Sequence, residues 1–404
     1  MQSDCKFSEG ANPGGMIPRA LAHALLERVA MYPVVTLTGP RQSGKTTLCR
    51  MLFPDKPYLN LEALDVREFA LSDPRGFLAE IPEGAVLDEV QQAPALFSYL
   101  QVEVDRDARP GRFILTGSEN FTFSQAISQS LAGRTGILHL LPCTVEELTA
   151  FPAPSADLWT SLWRGSYPRI FDSSATPEVW YADYLATYVE RDVRRLLNVK
   201  DLRSFAQFLR LAAGRTAQEL NLSTLAGDVG VAVNTIKAWV SVLEASYLVA
   251  LVPGWHPTIR KQVARTPKMH FLDSGLACHL LGIRNPGQLA PHPLRGAIFE
   301  SWVVSEVYKA RLNHGLAPDC FHYREAQGPE VDLMVRAGED WRLVEARSAR
   351  TVDTTFFQHL HGLAQRFWGK APAELRLVYG GDAASKRSGV AVIPWRSIQG
   401  VEWG

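Results

Sequence analysis

The stretch Val34-Val35-Thr36-Leu37-Thr38-Gly39-Pro40-Arg41-Gln42-Ser43-Gly44-Lys45-Thr46-Thr47 decides the fold. Its first five residues are apolar or β-branched, the signature of a short buried strand. The next eight have the spacing G-x-x-x-x-G-K-T, and Thr46 to Phe53 then carries apolar residues at helical intervals. Strand, glycine loop and helix in that order make a cradle for phosphate, because the glycines let the backbone turn its N–H groups inward and the helix adds its positive end. On this reading Gly39, Pro40, Arg41, Gln42, Ser43, Gly44, Lys45, Thr46 and Thr47 surround the phosphates. Lys45 reaches the β- and γ-phosphates and the Thr46 hydroxyl ligates magnesium, so ATP with Mg2+ is the expected ligand.

Further apolar runs at Tyr58–Leu61, Ala85–Leu87, Arg112–Thr116 and Gly136–Leu140 read as strands. Helical spacing falls between them near Val66–Leu71, Ala95–Asp107 and Ser124–Leu131. Such alternation predicts an α/β fold, a parallel sheet covered by helices on both faces. The run Ala85-Val86-Leu87-Asp88-Glu89 ends in two acids. Asp88 is expected to hold the magnesium shell and Glu89 to polarise the attacking water; the competing reading is a plain exposed strand end. Parallel strands bring their carboxyl ends to one edge, so Ser118 or Asn120, after Phe113-Ile114-Leu115-Thr116-Gly117, can sense the γ-phosphate. A helix-capping turn is the alternative there. Arg134 could supply positive charge to the phosphates in its own subunit or a neighbour's, or form a structural ion pair.

At 404 residues the chain exceeds one ordinary core, since single cores stop growing near roughly 250–300 residues. It carries 42 basic and 42 acidic residues, so no global field draws it to nucleic acid, and any DNA contact must be a local patch. The five cysteines form no C-x-x-C pair, which argues against a zinc site or a disulfide framework and fits a reducing cytoplasm. The most apolar run, Trp239 to Trp255, contains Glu244 and is too short to span a bilayer, so no membrane association is expected.

Taken in order, the glycine loop, Leu87-Asp88-Glu89-Val90-Gln91, Leu115-Thr116-Gly117-Ser118, Leu131-Ala132-Gly133-Arg134 and Leu140-Leu141-Pro142-Cys143-Thr144-Val145-Glu146-Glu147-Leu148 resemble the AAA-type ATPases of bacteria and archaea that carry a C-terminal domain called DUF4143. The resemblance continues through Trp163-Arg164-Gly165-Ser166-Tyr167-Pro168, Tyr188-Val189-Glu190-Arg191-Asp192-Val193, Phe271-Leu272-Asp273-Ser274-Gly275-Leu276 and Gly296-Ala297-Ile298-Phe299-Glu300, and so covers nearly the whole chain. It implies a P-loop NTPase domain of the ASCE/AAA type, a winged-helix segment, and a C-terminal α/β domain similar to PD-(D/E)xK nucleases. Relatives of this class often form homo-oligomeric rings with an arginine supplied in trans, a part open to Arg134 or Arg191. The expected divisions are a disordered N-terminus (1–16), the ATPase domain (17–150), a helical linker or lid (151–200), the winged-helix-like segment (201–268) and the C-terminal domain (269–404). A linker is expected at Phe151-Pro152-Ala153-Pro154-Ser155.

Leu202–Ala213, Ser223–Val229 and Val233–Glu244 read as three helices, with a turn at Gly230 and an apolar strand at Tyr247–Val252. A winged helix would offer Asn234 and Lys237 to a DNA groove, with Arg260, Lys261, Arg265 and Lys268 on the wing meeting phosphates. A plain protein-packing module is the alternative. Glu330-Val331-Asp332-Leu333-Met334-Val335 and Leu343-Val344-Glu345-Ala346-Arg347 read as a hairpin bearing acids. In PD-(D/E)xK nucleases such acids bind magnesium and activate water; here Asp332, Glu345 and Glu300 take those positions, but Arg347 stands where the lysine belongs. A guanidinium stays charged and cannot share its proton with water, so an inactive or binding-only fold is favoured. The sequence thus points to an ATPase coupled to a DNA- or protein-binding module, against two alternatives: an ATP-gated metal-dependent nuclease and a slow nucleotide switch that binds a partner protein.

Overall fold

The computed structural model describes residues 16–118, 130–188, 202–258, 260, 262, 265–325, 328–368 and 374–404. Strands β1 (Val34–Gly39), β2 (Tyr58–Asn60), β3 (Val86–Asp88), β4 (Phe113–Ser118) and β5 (Thr135–His139) form an all-parallel sheet in the order β2-β3-β4-β1-β5. Every residue of β1 is buried, which is why its sequence is continuously apolar or small instead of alternating. One face packs Val35, Leu37, Val86, Ile114 and Leu138 against α1 (Ala22–Met31) and α2 (Lys45–Leu52). The other packs Val34, Leu87, Phe113 and Leu115 against α3 (Leu64–Ser72), α4 (Pro74–Ala79) and α5 (Leu96–Arg106). The expected helix at Ser124–Leu131 lies mostly outside the described residues, whereas α1 was not signalled by the sequence reading.

Phe151, expected in a linker, is buried and packs 5.4 Å from Phe171. Helices α6 (Leu158–Arg164), α7 (Pro177–Tyr188), α8 (Leu202–Ala213), α9 (Leu222–Val229) and α10 (Val233–Ala245) follow, with a small antiparallel sheet of β6 (Gln218–Glu219), β7 (Val249–Val252) and β8 (Lys268–Phe271) in the order β6-β8-β7. Asn221 caps α9 by accepting from the Thr224 N–H, and Gly230 ends it in the left-handed region, φ +79°. Phe205, Phe208, Leu225 and Trp239 bury the three helices against each other.

After α11 (Ser274–Leu280), the long helix α12 (Arg295–Asn313) lies against a six-stranded mixed sheet of β9 (Cys320–Arg324), β10 (Glu330–Ala337), β11 (Asp340–Arg347), β12 (Glu374–Tyr379), β13 (Ser385–Arg387) and β14 (Val390–Pro394). The order is β13-β14-β12-β11-β10-β9, with β11-β12 and β12-β14 parallel and the other pairs antiparallel. Helix α13 (Gln358–Trp368) packs Leu360 and Leu363 with Met334, Leu343 and Leu377 of the sheet.

Candidate nucleotide site and the C-terminal charge cluster

The carboxyl ends of β1, β3 and β4 converge. Gly39 pairs in register with Ser118, and Asp88 ends the strand beside β4. Gly39 has φ +146°, and a Cβ there would fall 2.1 Å from the Leu140 carbonyl oxygen, so no other residue fits without displacing backbone. Gly44 caps α2 in the left-handed region at φ +97°. Lys45 is buried and donates to the carbonyls of Gly39 (3.0 Å) and Pro40 (2.8 Å), which holds its ammonium inside the loop. Burial lowers its pKa, opposed by the carboxylates of Glu89 and Asp88.

Asp88 is the hub. Thr46 Oγ1 donates to its Oδ2 at 2.8 Å, Tyr58 OH donates to the same oxygen, and Thr116 Oγ1 donates to Oδ1. Burial and the adjacent carboxylate push the Tyr58 phenol far above its usual range, so it stays a donor. Glu89 adopts φ +55°, a strained conformation for a side-chain-bearing residue, and burial raises its carboxyl pKa against the pull of Lys45 and Arg41. The Gln91 amide donates to both Glu89 and, at 3.2 Å, Ser118. Tyr58, Thr116 and Gln91 were missed from sequence. Gln91 and Thr116 lie inside runs that carry the family resemblance, but only strand register shows what they touch, and Tyr58 belongs to no motif at all.

The residues fit a magnesium nucleotide. The Ser43 Oγ is buried in the loop with no hydrogen-bond partner among the described residues, and Thr46 with Asp88 supplies the hard oxygen donors that Mg2+ prefers. Beside the loop opens a cleft of about 320 Å3 whose lining includes Ile17, Thr47, Met51, Phe151, Pro168 and Asp172.

Arg134 is placed elsewhere. Its neighbour Thr135 pairs with Val34, at the start of β1 and hence at the opposite edge of the sheet from the loop. There Arg134 forms a two-pronged ion pair with Asp105 (Nε–Oδ1 2.5 Å, Nη2–Oδ2 3.0 Å), so in its own chain it is a structural residue and not a phosphate ligand. Asn120 and Arg191 lie outside the described residues.

In the C-terminal part, β10 and β11 bring Asp332 and Glu345 together, and Glu300 joins them from α12. Arg347 Nη1 lies 3.3 Å from Asp332 Oδ2, and its Nη2 donates to Glu345. A second cation comes from an unexpected place: Lys268 on β8 bonds Glu300 Oε1 at 3.0 Å and pairs with Glu330 Oε1 at 2.7 Å. Lys268 is therefore corrected from a wing residue facing DNA to a buried member of this cluster, 1% exposed, since β8 is the central strand of its sheet. Burial and the neighbouring Asp332 carboxylate raise the pKa of Glu300 to about 8 and that of Glu345 to about 9. Among the described residues no three His, Cys, Asp or Glu side chains are placed to hold a metal ion.

Of the remaining groups expected to meet DNA, Asn234, Lys237 and Arg260 are exposed, while Arg265 donates to the Arg324 carbonyl at 2.8 Å. Lys261 lies outside the described residues. Among the described residues no helix is long and apolar enough to cross a membrane.

The parallel sheet with its glycine loop, Lys45, Asp88 and Glu89 at one edge defines a P-loop nucleotide-binding protein of the AAA type. The family comparison agrees. Residues 31–149 match the AAA domain family, 155–287 match a domain of unknown function (DUF8612) and 295–398 match a domain of unknown function (DUF4143). The chain belongs to the AAA-type ATPase family with a C-terminal DUF4143 domain. It is 32% identical over 335 residues to the uncharacterized protein Rv2008c of Mycobacterium tuberculosis, covering 82% of this chain and 72% of that one, with the same figures for Mb2031c of Mycobacterium bovis. Among solved structures, the Walker-type ATPase PABY2304 of Pyrococcus abyssi matches at 16% identity and a TM-score of 0.46, covering 67% of this chain and 99% of that one.

Proposed function

We propose that the protein hydrolyses ATP with magnesium and couples its nucleotide state to the C-terminal module. The observation that carries the reading is the bonded pair Thr46–Asp88 beside buried Lys45, with Glu89 one residue on at the same sheet edge. Magnesium, when bound, neutralises charge on the phosphate oxygens. Thr46 and Asp88 would hold it, Lys45 and the loop N–H groups would fix the phosphates, and Glu89 would take the proton of the attacking water. Burial raises the Glu89 carboxyl pKa, which makes it a stronger base than an exposed carboxylate. The cleft beside Ile17 and Phe151 has the size and the apolar walls to take the base.

Lys45→Ala should abolish turnover, a loss of at least 100-fold measured by phosphate release. Lys45→Ala protein that hydrolyses ATP like the parent would refute the assignment.

What supports coupling is a continuous buried network between the two modules. Arg19 Nη1 donates to the Ser43 carbonyl of the loop at 2.6 Å, and its Nε lies 3.1 Å from Glu147. Glu147 accepts from the Thr144 N–H (2.7 Å), while Val145 N–H donates to Glu306 (3.0 Å) and Lys309 to the Cys143 carbonyl (2.9 Å). Glu306 and Lys309 sit on α12, the helix that also carries Glu300.

The three helices with their small antiparallel sheet support the winged-helix reading, and the six-stranded sheet with α12 supports the nuclease-like one. For the acid cluster we favour a closed, binding-only site, because both cations are bonded inward onto its carboxylates. Incubation of linear, branched and single-stranded DNA with Mg2+ or Mn2+ should leave all three intact. Cutting that disappears in Asp332→Ala would overturn this and favour the ATP-gated nuclease. Exposed Asn234, Lys237 and Arg260 keep DNA as a candidate target, tested by ATPase rate with and without DNA.

A further inference from the structure

Gln91 follows the expected base by two residues, in the tight turn Val90–Gln92 that Glu89 opens from its left-handed backbone conformation. A left-handed residue followed by one turn of 3-10 helix folds the chain back, so the side chains of Glu89 and Gln91 meet. The Gln91 Nε2 then spends its two hydrogens: one on the Glu89 carboxylate, the other on Ser118 Oγ at 3.2 Å. Ser118 in turn stands in register with Gly39, the first residue of the phosphate loop. The amide is thereby pinned between the expected base and the end of β4, the strand that pairs with β1 where the phosphate loop begins.

With its nitrogen pinned, the amide oxygen has no freedom to turn away. Gln91 Oε1 is nevertheless buried and has no hydrogen-bond partner among the described residues. Leaving a buried acceptor unbonded costs free energy, so such an atom in a native site calls for a partner that arrives later. The partner must be a small donor, since the amide is held close against both Glu89 and Ser118. A water molecule has two hydrogens, and hydrolysis requires that one go to the base while the oxygen lone pair faces phosphorus. Without a second acceptor the water would rotate freely on Glu89.

We propose that Gln91 is a water-orienting residue for the hydrolysis: its Oε1 accepts the second hydrogen of the attacking water, while its Nε2 holds Glu89 in place and ties both to Ser118. The inference rests on the ATPase reading above. In the step, the water O–H bond to Glu89 breaks as the new P–O bond forms and the bond from the γ-phosphorus to the leaving ADP oxygen breaks; Gln91 exchanges no proton.

The test compares wild-type, Gln91→Ala and the isosteric, apolar Gln91→Met proteins by steady-state phosphate release across pH 5–9. Affinity for fluorescent ADP and for a non-hydrolysable ATP analogue is measured in parallel, together with thermal melting. Orienting predicts that kcat falls about 10- to 100-fold in both variants, at or below the lower end of the ~10²–10⁴-fold that a positioned acid–base group contributes, because Gln91 transfers no proton. KM, both affinities and the melting temperature should stay within twofold or about 2 °C of wild type. The acidic limb of the pH profile should also move up, because the bond that favours ionised Glu89 is gone. Ser118→Ala, which removes the anchor of the Gln91 amide but leaves its oxygen, should cost less in kcat than either variant.

Gln91→Ala and Gln91→Met with kcat within twofold of wild type and an unmoved pH profile would overturn the proposal. So would a loss of kcat matched by lost affinity and melting temperature in both variants, which is the mark of a structural role. Should Gln91→Ala fail to fold, Gln91→Met decides alone, since it fills the same volume. A wild-type rate no higher than that of Lys45→Ala would remove the ATPase reading and this proposal with it, whereas normal wild-type turnover with undiminished variants removes only the proposal.

Discussion

On the proposed reading, Tyr58 would steady a metal-binding carboxylate without itself touching the metal. Its hydroxyl and that of Thr46 share Asp88 Oδ2, while Thr116 holds Oδ1. If Thr46 turns towards magnesium, Tyr58 and Thr116 are what keep the carboxylate aimed. The Arg50 guanidinium lies 4.1 Å from the centre of the Tyr58 ring and fixes the ring from its face. Tyr58→Phe removes one hydrogen bond to a charged group, worth about 1.5–3 kcal/mol at most. The Mg2+ concentration needed for half-maximal binding of a fluorescent ATP analogue should rise several-fold. Binding in the presence of a chelator should not change. Equal Mg2+ dependence in Tyr58→Phe and parent would show that Thr46 and Thr116 suffice.

Elements with a period or a spaced motif were legible in the sequence; those defined by what packs on them were not. The strand β1 and its loop announced themselves because a fully buried parallel strand must be continuously apolar and the loop must have glycine at Gly39 and Gly44. Helix α1 went unread, and so did the role of Lys268, because a strand of four residues says nothing about which distant acids it will meet. Asp332, Glu345 and Arg347 were read as one hairpin cluster, but its second cation comes from β8, more than 60 residues before the hairpin in the chain. That cluster carries a pH signature. The folded-state pKa values of Glu300, about 8, and Glu345, about 9, lie above the unfolded carboxylate value of ~4.3. The folded form keeps protons that the unfolded chain has already released, so the associated stability is complete in acid and drains away as pH rises towards 9. Between pH 7 and 9 the melting temperature of Glu345→Gln should therefore gain on that of wild type, the gap widening with pH. Parallel curves would mean that Glu345 is ionised throughout, fully matched by Arg347.

Across the whole molecule the modules are joined by buried charge, and that is where a test of coupling belongs. Arg19, 7% exposed, binds the Ser43 carbonyl, the Leu141 carbonyl at 2.8 Å and the Glu147 carboxylate at once, and Glu147 also accepts from the Ala20 N–H at 2.7 Å. The clasp thus ties the segment before α1, the phosphate loop and the chain leaving the sheet into one unit. Beyond it, Glu306 and Lys309 pair at 2.8 Å, and Gln399 donates to Glu306 at 2.7 Å, which carries the network to the C-terminal end of the chain. Arg19→Met strands a buried Glu147 and should cost about 3–5 kcal/mol, the usual penalty for removing one partner of a buried pair. Arg19→Met with Glu147→Leu removes both charges and should recover much of that stability, since the unpaired charge and not the lost attraction dominates the cost. Coupling asks more of the double variant. Hydrogen exchange in wild type should slow on ATP-analogue binding both in the loop and at residues 143–147 and 306–309. In the refolded double variant the loop should still respond to nucleotide and α12 should not. If α12 keeps its response once Arg19 and Glu147 are gone, the signal travels by another route, for which the contact of Tyr247 and Thr38 through His139 Nδ1, 2.6 Å from each hydroxyl, is the next path to break.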